Sequence, residues 1–182
     1  MKHPNIIKIV CHDIGRHLGC YGLKSVNSKA IDALARNGIL FKNSFATSPG
    51  CSPSRAAIAT GMYPHNTGVL GLAHAHFGWS LDKKINHIAK YFSKNGYNSI
   101  LFGLQHVTYY EKTLGFNKIF PERPADEVLK NITKNIDNKI FKKPFYAEIN
   151  FFEPHRPFDY GGVKPDKSKG VYIPKYIPNN LY

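Results

Sequence analysis

A cysteine and an arginine stand four positions apart in the stretch GCSPSRAAIATG, residues 50–61. Pro53 suits the first turn of a helix and the small residues after it continue the helix, so Cys51 is predicted to lie at a helix N-terminus. The unpaired N–H groups and the dipole of a helix favour an anion there, and Arg55 lies one turn further along the same face. The pattern therefore predicts a site where a reactive sulfur and a fixed cation meet one small anionic group.

Two other interpretations of this stretch stay open. In the first, Cys51 is a buried structural cysteine and the Arg55 guanidinium reaches solvent. In the second, Cys51 is the nucleophile of a thiolate phosphatase. Such an enzyme cradles phosphate in a longer loop that usually contains glycine, whereas three residues separate Cys51 from Arg55 and one of them is proline.

The elements that must position this site alternate between strand and helix. NIIKIVCHD (5–13) is a short apolar run, rich in β-branched residues, that ends abruptly in polar ones. This pattern is typical of a buried parallel strand that delivers side chains to a site at its C-terminal end. Further strands are predicted at 97–102 and in KPFYAEINFF, 143–152. The alternation predicts an α/β fold with a mostly parallel central sheet flanked by helices.

Three further helices are predicted between these strands. Asn27 or Ser28 caps the first, Ser80 caps the second and Gly96 ends the second, while the third covers about 125–136. The first two carry apolar residues at helical spacing, which are Ile31, Leu34 and Ala35 in the first and Ile85, Ile88, Ala89 and Phe92 in the second. Both are therefore predicted to be amphipathic.

Composition narrows the class of protein. The 182 residues, 42% of them hydrophobic, are enough for one packed domain. The formal net charge of +13 comes from lysines scattered along helix faces, which favours a solvated surface over nucleic-acid binding. The odd number of cysteines and the lack of a long apolar run predict a reduced, soluble, cytoplasmic protein without a membrane span, with export left open if the start is misassigned.

Four segments together resemble the sulfatase family of the alkaline-phosphatase-like superfamily. CSPSR followed by Thr60 and Gly61 is similar to the family signature, in which the cysteine is converted to formylglycine. NIIKIVCHDIGRHLGCYG is similar to the family's first strand and metal loop, LFGLQHV to its glycine-lysine-x-histidine element, and NFFEPHRPF to its active-site histidine loop. All four occur in the family's order. The residues HDIGR and EPHRPF within these segments are most similar to the branch of the family that includes heparan N-sulfatase.

The resemblance implies hydrolysis of a sulfate ester or N-sulfate, with a sulfated small molecule or glycan as substrate and a formylglycine-generating enzyme as partner. Cys51, as formylglycine, would supply the nucleophile. Arg55 would orient that group and neutralise the sulfate. His106 would hydrogen-bond the nucleophile or act as its base, and His155 would be the donor to the leaving-group oxygen.

The resemblance also implies a divalent metal, with calcium preferred over magnesium. Asp13 would be a ligand at the end of the first strand, with His12 and the modified Cys51 beside it. An alternative role for Asp13 is a helix or turn cap. His12 stands where the family has an aspartate and suits calcium poorly, and Leu104 stands where the family has a lysine.

Residues 1–182 are expected to form the N-terminal part of a sulfatase catalytic domain, because YIPNNLY (176–182) resembles the entry to the next family segment. The remaining metal ligands of the family lie beyond that point, so this stretch is expected to be a weak enzyme by itself. Two other functions stay open. One is a phosphonate or phosphate-ester hydrolase of the same superfamily, and the other is a non-catalytic protein that binds anions or glycans.

Overall fold

The computed structural model describes residues 3–141 and 144–158, together with Ser168, Ile173 and Pro178. Apart from Pro178, the segment 176–182 lies outside the described residues. The described part contains one sheet of four parallel strands in the order β1-β4-β2-β3. The strands are β1 (Ile6–Cys11), β2 (Asn98–Gly103), β3 (Lys118–Phe120) and β4 (Phe145–Phe151). The predicted α/β class and parallel sheet are confirmed.

Five α-helices accompany the sheet in the described ranges. They are α1 (Lys29–Asn37), α2 (Cys51–Thr60), α3 (Pro64–Thr67), α4 (Ile88–Lys94) and α5 (Ala125–Asn135). Short 3₁₀ turns occupy Gly19–Tyr21, Glu111–Leu114 and Lys139–Phe141. The predicted third helix therefore begins where the sequence placed it and ends one residue earlier.

The sheet is covered on its two faces by different helices. On one face, Val128 of α5 packs with Ile100 and Phe102 of β2 and with Ala147 of β4. On the other face, the ring of Phe92 in α4 stacks on Tyr146 of β4, with centroids 4.9 Å apart. The central strands β2 and β4 are therefore buried on both faces, as expected for parallel strands in an α/β fold, although the Tyr146 face of β4 also carries the buried polar residues Glu148 and Asn150.

The start of α4 corrects one prediction. The helix begins at Ile88 and not near Ser80, because the N–H groups of Leu81 and Asp82 bond to residues outside the helix. The Leu81 N–H donates to the Val107 carbonyl at 2.9 Å, which ties this segment to the loop after β2. His87 caps the helix instead, since its Nδ1 accepts from the Ala89 N–H at 3.1 Å. Tertiary hydrogen bonds thus override local helical spacing here.

The start of α1 refines another prediction. Ser28 occupies the N-cap position, but its hydroxyl accepts from the Gly19 N–H at 2.8 Å and donates to Asp32 Oδ1 at 3.0 Å. Asp32 also accepts from the Cys20 N–H at 2.7 Å. These bonds fasten the loop after β1 to the helix. No helix in the described part is long and apolar enough to cross a bilayer.

Candidate active site

The helix α2 presents Cys51 at its first position, as predicted. Ser52 is fully buried, and its hydroxyl accepts from the Ala73 N–H at 3.0 Å, which anchors the N-terminus of the helix in the protein. Ala56, one turn along, lies in the hydrophobic core. The helix ends at Thr60, where Gly61 has φ 70° and donates its N–H to the Ala57 carbonyl. Cys51 is partly exposed at the opposite end of this anchored helix.

Arg55 lies on the same helix, buried with 8% of its surface exposed. Its Nη1 donates to the Leu104 carbonyl oxygen at 3.3 Å. Burial lowers the pKa of Arg55 from its usual value, and the charges of Glu148 and Cys51 act in the opposite direction. A buried guanidinium that makes one hydrogen bond to the protein has further N–H groups with which to bind an anion.

The loop after β1 brings His12 and Asp13 to the same place. His12 is buried, and its Nδ1 lies 3.0 Å from Asp13 Oδ1. Burial lowers the pKa of His12, and the hydrogen bond with Asp13 partly offsets this effect. Asp13 is exposed and has φ 52°, a left-handed conformation that only a few non-glycine residues adopt. A cleft of ≈ 530 Å³ is lined by both residues and by Cys51 and Arg55.

The loop after β4 adds His155. Its Nε2 lies 3.8 Å from Asp13 Oδ2, and its ring is perpendicular to that of His12 with centroids 4.5 Å apart. The backbone supports the approach of the two loops, because the His12 N–H donates to the Glu153 carbonyl at 3.2 Å. The strands β1 and β4 are parallel neighbours, so their carboxyl ends meet at one edge of the sheet.

The loop after β2 adds His106, which also has a left-handed backbone with φ 57°. Burial, with His74 and Arg55 nearby, lowers the pKa of His106 to about 4. The imidazole is therefore neutral at pH 7, with one N–H that can donate and one nitrogen that can accept a hydrogen bond. Its Nε2 is hydrogen-bonded to Nδ1 of His74, whose ring stacks on it with centroids 4.4 Å apart.

All six residues singled out from the sequence thus lie in one region. Five of them form two groups that could hold a metal ion. One group is His12, Cys51 and His106, and the other is His12, Asp13 and His155; within each group, one donor atom per residue lies within 4.8 Å of the others. Together the groups offer one carboxylate, three imidazoles and one sulfur. Calcium takes six to eight oxygen ligands, so these donors do not fit calcium by themselves.

Two residues near the site were missed by sequence reasoning. His74 contacts His106, and the charge of Arg123 contributes to the lowered pKa of His106. His74 follows α3 and Arg123 precedes α5, so neither belongs to a segment that resembles the family's motifs. Neither spacing nor periodicity could have associated them with Cys51.

Most of this chain is similar to known proteins. The family model named Sulfatase matches residues 4–158. The chain is 35% identical to the ulvan-active sulfatase of Formosa agariphila over 98% of this chain and 35% of that protein. It is 29% identical to human N-sulphoglucosamine sulphohydrolase over 84% of this chain and 32% of that protein.

A solved structure shows the same fold. A proposed sulfatase from Bacteroides thetaiotaomicron matches with a TM-score of 0.72 and 26% identity, covering 98% of this chain and 42% of that one. The chain spans about a third of the length of the curated relatives it matches. The family match over most of the residues, together with the shared fold, leads to one conclusion: this chain belongs to the sulfatase family.

Proposed function

We propose that this chain forms the N-terminal part of the catalytic domain of a hydrolase that removes sulfate from a sulfated carbohydrate. One observation carries the proposal: Cys51 and Arg55, at the N-terminus of α2, line one cleft with His12 and Asp13 from the end of β1. The relatives named for action on ulvan and on N-sulphoglucosamine favour a sulfated glycan over an unrelated sulfate ester.

The nucleophile in this proposal is a formylglycine made from Cys51 by a converting enzyme. The hydrated aldehyde supplies two hydroxyls, of which one attacks the sulfur and the other, on losing its proton, expels sulfate. Arg55 holds the charged sulfate against the helix N-terminus, where N–H groups already favour an anion. Because Arg55 is buried, its interaction with the sulfate is stronger than in bulk solvent.

His106 and His155 are proposed to hydrogen-bond the nucleophile and the leaving group, respectively. His106 is neutral at pH 7 because burial lowers its pKa to about 4, so it is suited to hydrogen-bond the nucleophile, and the same low pKa makes it a weak base. His155 is partly exposed beside Asp13 and His12, and is suited to donate to the oxygen of the departing sugar. A divalent cation belongs to the proposal, and calcium would need oxygen ligands in addition to Asp13.

The test is to follow Cys51 and sulfate release in the same preparations. In a host with a formylglycine-generating enzyme, the peptide containing Cys51 should react with a hydrazide and should not alkylate with iodoacetamide. The protein that carries this sequence should then release sulfate from N-sulfated or O-sulfated sugars faster than phosphate from an aryl phosphate. Cys51→Ala should abolish release, and Cys20→Ala is the matched control. Unchanged turnover in Cys51→Ala would refute the mechanism.

A further inference from the structure

Each histidine beside Cys51 has one ring nitrogen held by another side chain. His12 Nδ1 lies 3.0 Å from a carboxylate oxygen of Asp13, and His106 Nε2 is hydrogen-bonded to His74. The other nitrogen of His106, Nδ1, is buried and has no hydrogen-bond partner among the described residues. Histidines that bind metals have this arrangement, in which one nitrogen faces the ion and the other is oriented by a carboxylate or another polar group.

Cys51 completes a donor set that differs from the oxygen ligands of calcium. One donor atom from each of His12, Cys51 and His106 lies within 4.8 Å of the other two. Around a tetrahedral zinc ion with bonds of 2.0–2.3 Å, ligand atoms lie about 3.5 Å apart, so small side-chain movements would close the site. Two imidazoles and a thiolate suit zinc and neighbouring transition metals far better than a hard cation.

We propose that His12, Cys51 and His106 form a transition-metal site of the zinc class while Cys51 is still a cysteine. The Cys51 thiol gives its proton to solvent as the sulfur–metal bond forms, and both histidines bind as neutral imidazoles. Three protein ligands leave the fourth position for water or a small anion. The inference goes beyond the proposed function, because conversion of Cys51 removes the sulfur and makes the two states of the chain mutually exclusive.

The experiment uses Co²⁺ as a spectroscopic probe for zinc. The whole protein is made in a host without a converting enzyme, and alkylation by iodoacetamide after unfolding verifies that Cys51 is a thiol. We expect one cobalt ion per chain, the visible absorption of tetrahedral cobalt and a thiolate-to-metal charge-transfer band. Zinc should displace the cobalt, and excess calcium should not.

Variants then identify the ligands. Cys51→Ala should remove the charge-transfer band, and His106→Ala should weaken cobalt binding at least tenfold. His74→Ala should weaken it by about tenfold, because His74 only orients His106. The matched controls are Cys20→Ala and His76→Ala, which change a cysteine and a histidine outside the cluster and should leave binding unchanged. Circular dichroism checks that each variant is folded.

Three results would overturn the inference. They are no cobalt binding, a charge-transfer band that persists in Cys51→Ala, or an effect of His155→Ala as large as that of His106→Ala. The last result would place the metal in the group of His12, Asp13 and His155 instead. None of these outcomes bears on the proposed hydrolysis, which is tested by the hydrazide reaction of the Cys51 peptide and by sulfate release from the converted protein.

Discussion

Leu104 shows how a single residue can serve a site through its backbone. Its side chain is buried with 9% exposed, while its carbonyl oxygen accepts a hydrogen bond from Arg55. The position that resembles the family's lysine therefore contributes no cation here. Arg123 is the candidate replacement, because its charge is among those that lower the pKa of His106.

Removing this charge should weaken substrate binding. In the protein that carries this sequence, Arg123→Gln should raise KM for a sulfated sugar about fivefold, equivalent to about 1 kcal/mol for an exposed charge. The kcat should change little, because Arg123 is not placed to touch the reacting atoms. Steady-state kinetics at low and high salt measure both constants. Arg36→Gln, on α1, is the control, and an equal effect there would show general charge attraction instead.

At the scale of the element, the N-terminus of α4 depends on a buried histidine. His87 is 2% exposed, and burial lowers its pKa to about 4, with the nearby charge of Glu148 acting in the opposite direction. The neutral ring is the form that accepts from the Ala89 N–H. Protonation would remove this cap and leave a charge in the core.

This cap makes stability depend on pH. The unfolded chain binds a proton at His87 near pH 6.5 and the folded chain near pH 4, so the free energy of unfolding should fall as pH drops between these values. The loss at the lower end is about 2–3 kcal/mol. His87→Asn keeps a capping oxygen but does not titrate, so its unfolding curves should vary less over this range. Equal pH dependence in both proteins would contradict the assignment.

The end of β2 requires a glycine. Gly103 has φ +86°, and a Cβ there would lie 1.9 Å from the Asn150 carbonyl oxygen on β4. Gly103→Ala should therefore destabilise the protein by about 3 kcal/mol or more, because backbone must move. Gly96 has a similar φ of +84°, but a Cβ added there would have no atom within 4 Å, so Gly96→Ala is the matched control. Its expected cost is about 1 kcal/mol. Denaturant titration compares the two, and equal losses would exclude the clash.

At the scale of the whole molecule, the described sheet has an apolar region near its edge. Ile7 and Ile9 of β1 are 57% and 54% exposed and pair in register with Ala147 and Ile149 of β4. On that face α5 packs over β2 and β4 and leaves β1 uncovered in the described residues. This region gives the protein a physical basis for association, since strand edges and apolar patches favour contact with other chains.

Self-association should follow this region. A protein of these 182 residues should form larger species as its concentration rises, and Ile7→Thr with Ile9→Thr should shift it toward monomer. Threonine keeps β-propensity while removing apolar surface. Sedimentation velocity measures the change. Phe77→Ser, at a residue 82% exposed elsewhere, is the control, and an equal shift in that variant would argue against a role for β1.

The sequence by itself determined most of the elements and the motif, although it predicted neither β3 nor α3. Apolar runs predicted β1, β2 and β4, and the short side chains after Pro53 predicted α2 with Cys51 at its start. These features depend on local periodicity and backbone geometry, which the order of residues encodes. The same reasoning misplaced the start of α4 near Ser80, because residues 81–82 are hydrogen-bonded to Val107 and Thr67, which are distant in the sequence.

Only the tertiary structure decided how the side chains of the site meet. In the folded protein, His74 is hydrogen-bonded to His106, and one nitrogen of His12 is hydrogen-bonded to Asp13. The buried Arg55 donates to the Leu104 carbonyl. The tertiary structure also lowered the pKa of His106 to about 4. The physical reason is that burial, ring contacts and donor distances arise where parallel strands and α2 converge, between residues far apart in the chain.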